Sequence, residues 1–401
     1  MSKTKRVEVI DALRAFSLLG IVLIHSIEHF NLYFLPESLP PFLKTVDRGV
    51  EKVVFFLFAG KAYAIFSLLF GFSFFVQYCN QRQRGYDFRP RFAWRMVLLL
   101  LFAQLDSLFY PGDILGLYAI VGFVLIMVSK WSDKAVFITA IVLILQPLEW
   151  AKVFYALVQS DYLPPAQTSY QYFGKIYATL TNGSFTETLI ANIGNGQFFS
   201  NLWQVENGRL FQTSALFMFG LLLGRRELYL HSAANNLFWK KVLFTGMGVF
   251  LPLFFLNTYW SESFVGNAYK ILNTIIVPSI RNFGFTLFLV ASFILLWHRK
   301  GMFNKFHRFI IPYGRMSLTN YITMGMFGSF LFYGYGLSWY KYLGATQSMF
   351  VGIGIFIVQL YFSKWWLKRY SQGPLEYLWK RLTWMSFTQS GILKVVFLKR
   401  S

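Results

Sequence analysis

Arg14 and His25 lie in the first strongly apolar stretch, Asp11-Ala-Leu-Arg14-Ala-Phe-Ser-Leu-Leu-Gly20-Ile-Val-Leu-Ile-His25. On a helix, eleven steps of about 100° return almost to the starting direction, so both side chains share one face, with a rise of roughly 16 Å between them. Ionisable groups inside a membrane span are costly and mark a functional site by default. A histidine titrates near neutrality and suits proton transfer. An arginine near the end of a span either reaches the headgroups or anchors an anion. Asp11, Arg14, His25 and His29 fall within a sector of roughly 100°, and Asp11 and Arg14 are placed to pair as i,i+3 neighbours. The plain alternative is that Arg14 snorkels and His25 hydrogen-bonds a neighbouring helix.

His25-Ser-Ile-Glu28-His29 also spells H-x-x-E-H. Histidines at i and i+4 can grip a zinc ion, and a glutamate between them can activate water, so a membrane zinc hydrolase is one reading. It needs a third ligand, and His231, His298 and His307 map to the opposite side. The expectation is therefore no metal. Lys61 interrupts the second apolar stretch and Arg281 the eighth, and each should face a partner or a water-filled cavity. Salt bridges to Asp106, Asp113 or Glu149 would satisfy them structurally; a substrate path would use the same residues. Asp113, in the turn Pro111-Gly112-Asp113, is placed to cap the following helix. Ser317, Thr319 and Asn320 read first as helix-packing residues. Gly373-Pro374-Leu-Glu376 reads as a turn into an interfacial helix, with Trp379 and Trp384 at the headgroups.

The elements that carry these residues are membrane helices. The chain is 56% hydrophobic and 20% aromatic with 14% charged residues, a composition foreign to soluble domains. The net charge of +21 is scattered between apolar runs, the pattern of cytoplasmic loops rather than of a nucleic-acid-binding face. Anionic lipids and an anionic cytosolic substrate are the expected partners, and no nucleic acid. Cys79 is the single cysteine, so neither an intrachain disulfide nor a cysteine metal cluster is expected. The basic N-terminus, Lys3, Lys5 and Arg6, precedes a retained first helix rather than a cleaved signal, because no small-x-small site follows.

Ten stretches are apolar and long enough to span: 9–29, 53–78, 92–110, 114–130, 135–158, 210–224, 241–259, 273–297, 309–336 and 346–367. With the N-terminus inside, the alternating cytoplasmic segments hold 28 of the 38 Lys and Arg residues. That asymmetry predicts an all-α polytopic bundle forming one integral domain over 1–401, with both termini and a tail at 368–401 in the cytoplasm. The long connection 159–208, with Pro164-Pro165, is expected on the outer side as short helices over the mouth of the bundle. No internal repeat is evident. The oligomeric state is open, a homodimer being one option.

Several strings together resemble a known family. Gly60-Lys61 leading to Phe66-Ser67-Leu-Leu-Phe70-Gly71, Gly112-Asp113-Ile-Leu115 with Tyr118-Ala119, Phe219-Gly-Leu-Leu-Leu-Gly224-Arg225, Gly314-Arg315-Met-Ser317-Leu-Thr319-Asn320-Tyr321 and Gly373-Pro374-Leu-Glu376 look like the YeiB-like bacterial membrane proteins (domain of unknown function 418). They occur in family order over nearly the whole chain. Members have been described as transporters. They also resemble, distantly, the transmembrane acyltransferases of the acyltransferase-3 and heparan glucosaminide acetyltransferase types. Arg14 and His25 are similar to the first-helix arginine–histidine motif of the acyltransferase-3 proteins. The YeiB-like pattern has Arg-Gly and, at the histidine position, Asn.

The resemblance implies an enzyme of the bacterial inner membrane that moves an acyl group, acetyl first of all, from cytosolic acyl-CoA to a hydroxyl or amine on a sugar, glycan or lipid acceptor at the outer side. Arg14, Arg89, Arg91, Arg95 and Arg315 would hold the CoA phosphates. His25 would act as base or acyl carrier, with His29 in reserve and Glu28 orienting. Lys61, Asp106, Asp113, Arg281 and Asn320 would meet the acceptor. The alternative is a transporter or lipid flippase without covalent chemistry.

Overall fold

The computed structural model describes residues 7–34, 36, 39–159, 161–163, 166–259, 267–299, 302–387 and 393–395. Lys3, Lys5, Arg6, Pro164, Pro165, the side chain of His307 and the end of the tail lie outside the described residues. The chain is almost wholly helical. In order come α1 (Glu8–Ile27), α2 (Pro41–Phe58), α3 (Ala62–Arg82), α4 (Arg89–Phe109), α5 (Leu115–Val128), α6 (Asp133–Ile144), α7 (Pro147–Val158), α8 (Ser169–Asn182), α9 (Phe185–Ala191), α10 (Gln197–Glu206), α11 (Arg209–Arg225), α12 (Ala233–Tyr259), α13 (Asn267–Ile271), α14 (Val277–His298), α15 (Met302–Arg315), α16 (Ser317–Phe332), α17 (Ala345–Arg369) and α18 (Pro374–Thr383). A two-stranded antiparallel ribbon pairs β1 (Met385–Phe387) with β2 (Leu393–Val395).

Six helical runs are long and apolar enough to cross a membrane: Glu8–Ile27, Pro41–Arg82, Arg89–Phe109, Ala233–Leu256, Asn267–His298 and Ala345–Arg369. The pair α6 and α7, bent by 44°, makes a seventh if taken as one span. Gln146 produces that bend by adopting φ 60° between them. This is an integral membrane protein by its apolar helices. Other expected spans are shorter or divided. The stretch 309–336 breaks at Met316, between α15 and α16, and α5 has 14 residues and α11 17. The stretch 53–78 breaks at Gly60, whose φ of +75° is a conformation only glycine adopts without strain. The long connection folds as α8, α9 and α10, with Ser184 and Glu187 forming a capping box at the start of α9.

Glycines set how closely the helices approach. A Cβ on Gly71 would strike the backbone oxygen of Phe217, and one on Gly220 that of Leu68; one on Gly224 would enter the Phe75 ring. Tyr63 with Gln212, Gly71 with Phe217 and Phe75 with Gly224 run in the same order along both helices, so α3 and α11 are parallel and start at the same end of the bundle. The ring stacking of Phe70 on Phe217 belongs to this interface. Gly314 likewise brings α15 onto the Asp11 carbonyl of α1. Gly246 and Gly284 join α12 to α14. In lipid, such close backbone approach replaces the hydrophobic effect as the force between helices. The core at the centre draws on α1, α3, α4, α5, α11 and α15–α17. By contrast, α12 turns Phe244, Leu251 and Phe255 outward.

Replacing Gly220 by leucine is expected to cost about 3 kcal/mol or more, because backbone cannot yield as a side chain does. Gly248→Ala and Gly354→Ala, where a Cβ meets nothing within 4 Å, should be neutral or slightly stabilising. Thermal unfolding of the three purified variants in detergent checks this. Equal losses at all three positions would refute the packing account.

Candidate functional site

A cavity of about 1340 Å³ opens between α1, α3, α4, α5, α15, α16 and α18. Its basic lining is Arg14, Arg84, Arg95, Arg315, Arg369, Lys380 and Arg381, against the carboxylates Asp11 and Glu376. Phe66, Phe70, Leu115, Tyr118 and Tyr321 add an apolar and aromatic lining. Cations beside an apolar lining suit an amphiphilic anion.

Three of these cations are visibly held in place. Arg14 pairs with Asp11 at 2.6 Å, as its spacing predicted, and donates to Ser73 Oγ at 2.7 Å. The Arg95 guanidinium lies 3.5 Å from the Trp379 ring centroid, and the Trp379 indole donates to the Arg95 carbonyl at 3.1 Å. Trp379 and Trp384 therefore wall the cavity. Arg315 donates to the Ser371 carbonyl at 3.1 Å. Of the five arginines expected to hold an anion, Arg14, Arg95 and Arg315 meet here. Arg89 and Arg91 do not: Arg89 forms a forked contact with exposed Asp87, which its guanidinium holds down to about 2, and Arg91 donates to the carbonyls of Thr383 and Met385. Sequence reasoning missed Ser73, Gln77 and Asn80, although polar residues at i, i+4 and i+7 in an apolar helix are a readable stripe.

His25 stands outside the cavity wall, near the far end of α1. Its Nδ1 is 2.8 Å from the Tyr110 hydroxyl, which sequence reasoning did not single out. The His29 ring meets it edge-on at 5.2 Å. Glu28 does not orient His25; its Oε2 lies 3.4 Å from His29 Nδ1. Among the described residues no three His, Cys, Asp or Glu side chains gather as metal ligands.

The residues expected to meet an acceptor divide into separate places. Asp113 caps α5 as expected, accepting from Leu115 and Gly116 at 2.8 and 3.1 Å. Asp106 is fully buried, and Gly325 leaves room for its carboxyl against α16. The Asp106 and Asp113 carboxyls are mutual neighbours. Asn320 is a packing residue: its amide donates to the Tyr313 carbonyl and to Ser363, and its carbonyl accepts from Gln359. Lys61 makes no salt bridge to Asp106, Asp113 or Glu149, and Glu149 pairs instead with Lys152 at 2.7 Å. Its ammonium points to the Phe55 carbonyl at 3.5 Å and the Phe285 ring. Arg281 lies near it.

Glu376 joins two parts of the site. Its carboxylate accepts from the backbone of Leu318 at 2.7 Å and Thr319 at 3.1 Å, and from the Thr319 hydroxyl at 2.6 Å. These are orphan donors of the first turn of α16, so α18 caps α16 from outside. Burial pushes the Glu376 carboxyl above the usual range, and the bonds from Thr319 and Leu318 oppose that only in part. With the folded value above the unfolded one, its contribution is full below the unfolded value and is lost as pH rises through the folded value. The stability of the protein relative to its Glu376→Gln variant should thus be greater at about pH 5 than at about pH 8. Glu376→Ala should cost about 1 kcal/mol at about pH 5 and less at about pH 8. Melting temperatures across pH check both, and a difference that grows toward alkaline pH would contradict the assignment.

Residues 223–386 match the family model "Protein of unknown function (DUF418)". The chain is similar to the "Uncharacterized protein YxaH" of Bacillus subtilis (strain 168), 25% identical over 96% of this chain and 95% of that one. It is 26% identical to an "Uncharacterized 39.9 kDa protein in amylase 3'region" of Bacillus acidopullulyticus, over 95% and 94%. It is 25% identical to the "Uncharacterized protein YeiB" of Escherichia coli (strain K12), over 93% and 95%. No solved structure matches the chain significantly. Over nearly its whole length the chain is thus similar to YeiB-like proteins, and residues 223–386 carry the match to the DUF418 family.

Proposed function

We propose that this protein is an acyltransferase of the bacterial inner membrane. It takes an acyl group, acetyl in the simplest case, from cytosolic acyl-CoA and passes it to a hydroxyl or amine of a sugar or lipid-linked glycan at the outer side. The observation that carries the reading is a cavity lined both by Arg14, Arg95 and Arg315 and by a set of apolar and aromatic side chains. Its cations suit the phosphates of CoA, and the apolar lining suits the pantetheine arm and acyl group. Ten spans with both termini in the cytoplasm would put this cavity on the cytoplasmic side, with the shorter helices as divided or short spans. The parallel run of α3 and α11 fits that count, since both would cross in the same direction.

In this reading the donor lies along α1 from Arg14 toward His25, a rise of roughly 16 Å. With Nδ1–H donating to the Tyr110 oxygen, the Nε2 lone pair is left to take the proton of the acceptor hydroxyl or amine. The acceptor oxygen or nitrogen bonds to the thioester carbonyl carbon, the C–S bond breaks, and the CoA thiolate leaves and takes up the proton. A histidine zinc site would need a third ligand, and a homodimer is not required.

A proton-coupled transporter or flippase is the second reading, favoured by the neighbouring Asp106 and Asp113 carboxyls.

Saturating CoA, near one hundred times Kd, should stabilise the purified protein by about 2.7 kcal/mol, and acetyl-CoA likewise. Arg14→Ala should weaken that binding about tenfold and flatten its salt dependence. No shift in melting temperature with either ligand would end the donor assignment. His25→Ala should lower acyl transfer by about a hundredfold or more, with CoA binding intact. Wild-type transfer by His25→Ala, or solute flux without acyl-CoA that needs Asp106, would favour the second reading.

A further inference from the structure

A second group of cations gathers at the other end of α3. Gly60 turns the chain between α2 and α3 and lies against Asn282, which seats Lys61 beside α14. Lys61 is 6% exposed. The charged neighbours within its electrostatic reach are Arg281 of α14 and Arg209 of α11, both half-buried. Arg209 lies over the Tyr63 ring at 4.1 Å and donates to Gln212, which also accepts from the Tyr63 hydroxyl. Among the described residues, no ion pair gives any of the three a carboxylate.

Buried charges are ordinarily paired, and three cations sharing an unneutralised site repel one another. Two helix N-termini add to the positive potential. The parallel helices α3 and α11 begin at Ala62 and Arg209, so their unsatisfied amides open toward the same end. A bound anion would relieve this arrangement. Arginine's planar fork and the lysine ammonium together match phosphate oxygens. Next to the cations runs an aromatic face: Phe285, under the Lys61 ammonium at 5.6 Å, packs with Phe56 and Phe250, and α12 beyond them is largely exposed. A phosphate beside an apolar, outward-facing helix surface is the chemistry of a lipid headgroup with its chains.

We infer that Lys61, Arg209 and Arg281 form a binding site for an anionic phosphate group, carried by a lipid whose chains lie along α12 and α14. The site is separate from the Arg14 cavity and does not depend on the acyl-transfer reading.

The test uses the full-length protein in a neutral detergent. Melting temperature is followed while phosphatidylglycerol, phosphatidylcholine or soluble glycerol 3-phosphate is added. Phosphatidylglycerol should stabilise more than phosphatidylcholine. Lys61→Met and Arg281→Gln should each weaken the apparent affinity about tenfold, and Arg281→Lys should keep part of it. Arg281→Gln, at a half-exposed position, serves if Lys61→Met does not fold. Stabilisation by glycerol 3-phosphate alone, lost in the same variants, would keep the phosphate site and assign it to a soluble ligand. The inference fails if neither phosphate source stabilises the protein, or if the stabilisation persists in Arg281→Gln.

Discussion

The close approach of apolar helices at glycines is the constraint on which the remaining structure depends. Surrounded by lipid, a leucine gains little by leaving the bilayer for a neighbouring helix, so association rests on packing and on polar contacts. Gly71, Gly220 and Gly224 let α3 and α11 touch backbone to backbone, and Gly314 does the same for α15 on α1. The first of these contacts seats α3. Midway along α3 Ser73 reaches Arg14, and near its start Tyr63 reaches Gln212 beside Arg209. A wider gap between these helices would undo both charged centres together.

The two centres differ in how their charge is balanced. Around the cavity, Asp11 and Glu376 accompany the cations, and aromatic rings cover Arg95. The carboxylate of Glu376 is spent on the first turn of α16, so it organises the wall more than it neutralises it. Around Lys61, among the described residues, the compensation comes from a carbonyl, rings and an amide oxygen. A partly balanced centre suits reversible binding of a polyanion, whereas an unbalanced one suits a resident anion. The protein thus holds two cationic environments of different character along one helix.

Much of the motif content turned out to be architecture. Phe66-Ser-Leu-Leu-Phe70-Gly71 and Phe219-Gly-Leu-Leu-Leu-Gly224 are the two halves of a single interface. Gly314 with Ser317–Asn320, and Gly373 with Glu376, are a helix start and its cap supplied from elsewhere in the chain. Asn320 was read as a packing residue before it was assigned to a substrate, and the first reading describes its contacts. The pairing of Arg14 with Asp11 and the cap by Asp113 were also legible, because both are contacts within four residues. Tyr110 and Arg209 were not, since each matters through a partner far away in sequence.

By itself the sequence determined the class, the apolar helices, the local pairs and caps, and the excess of cations, since composition, helical period and short-range spacing act within a few turns. It did not determine which arginines share a cavity, that His25 stands outside it beside Tyr110, or that Lys61 joins Arg281 and Arg209 instead of a carboxylate. Those outcomes follow from the direction and distance at which helices cross, and glycine contacts between remote segments set both. Ten candidate spans could be drawn from hydropathy; the breaks at Gly60, Gln146 and Met316 appear only where neighbouring helices hold the chain at an angle.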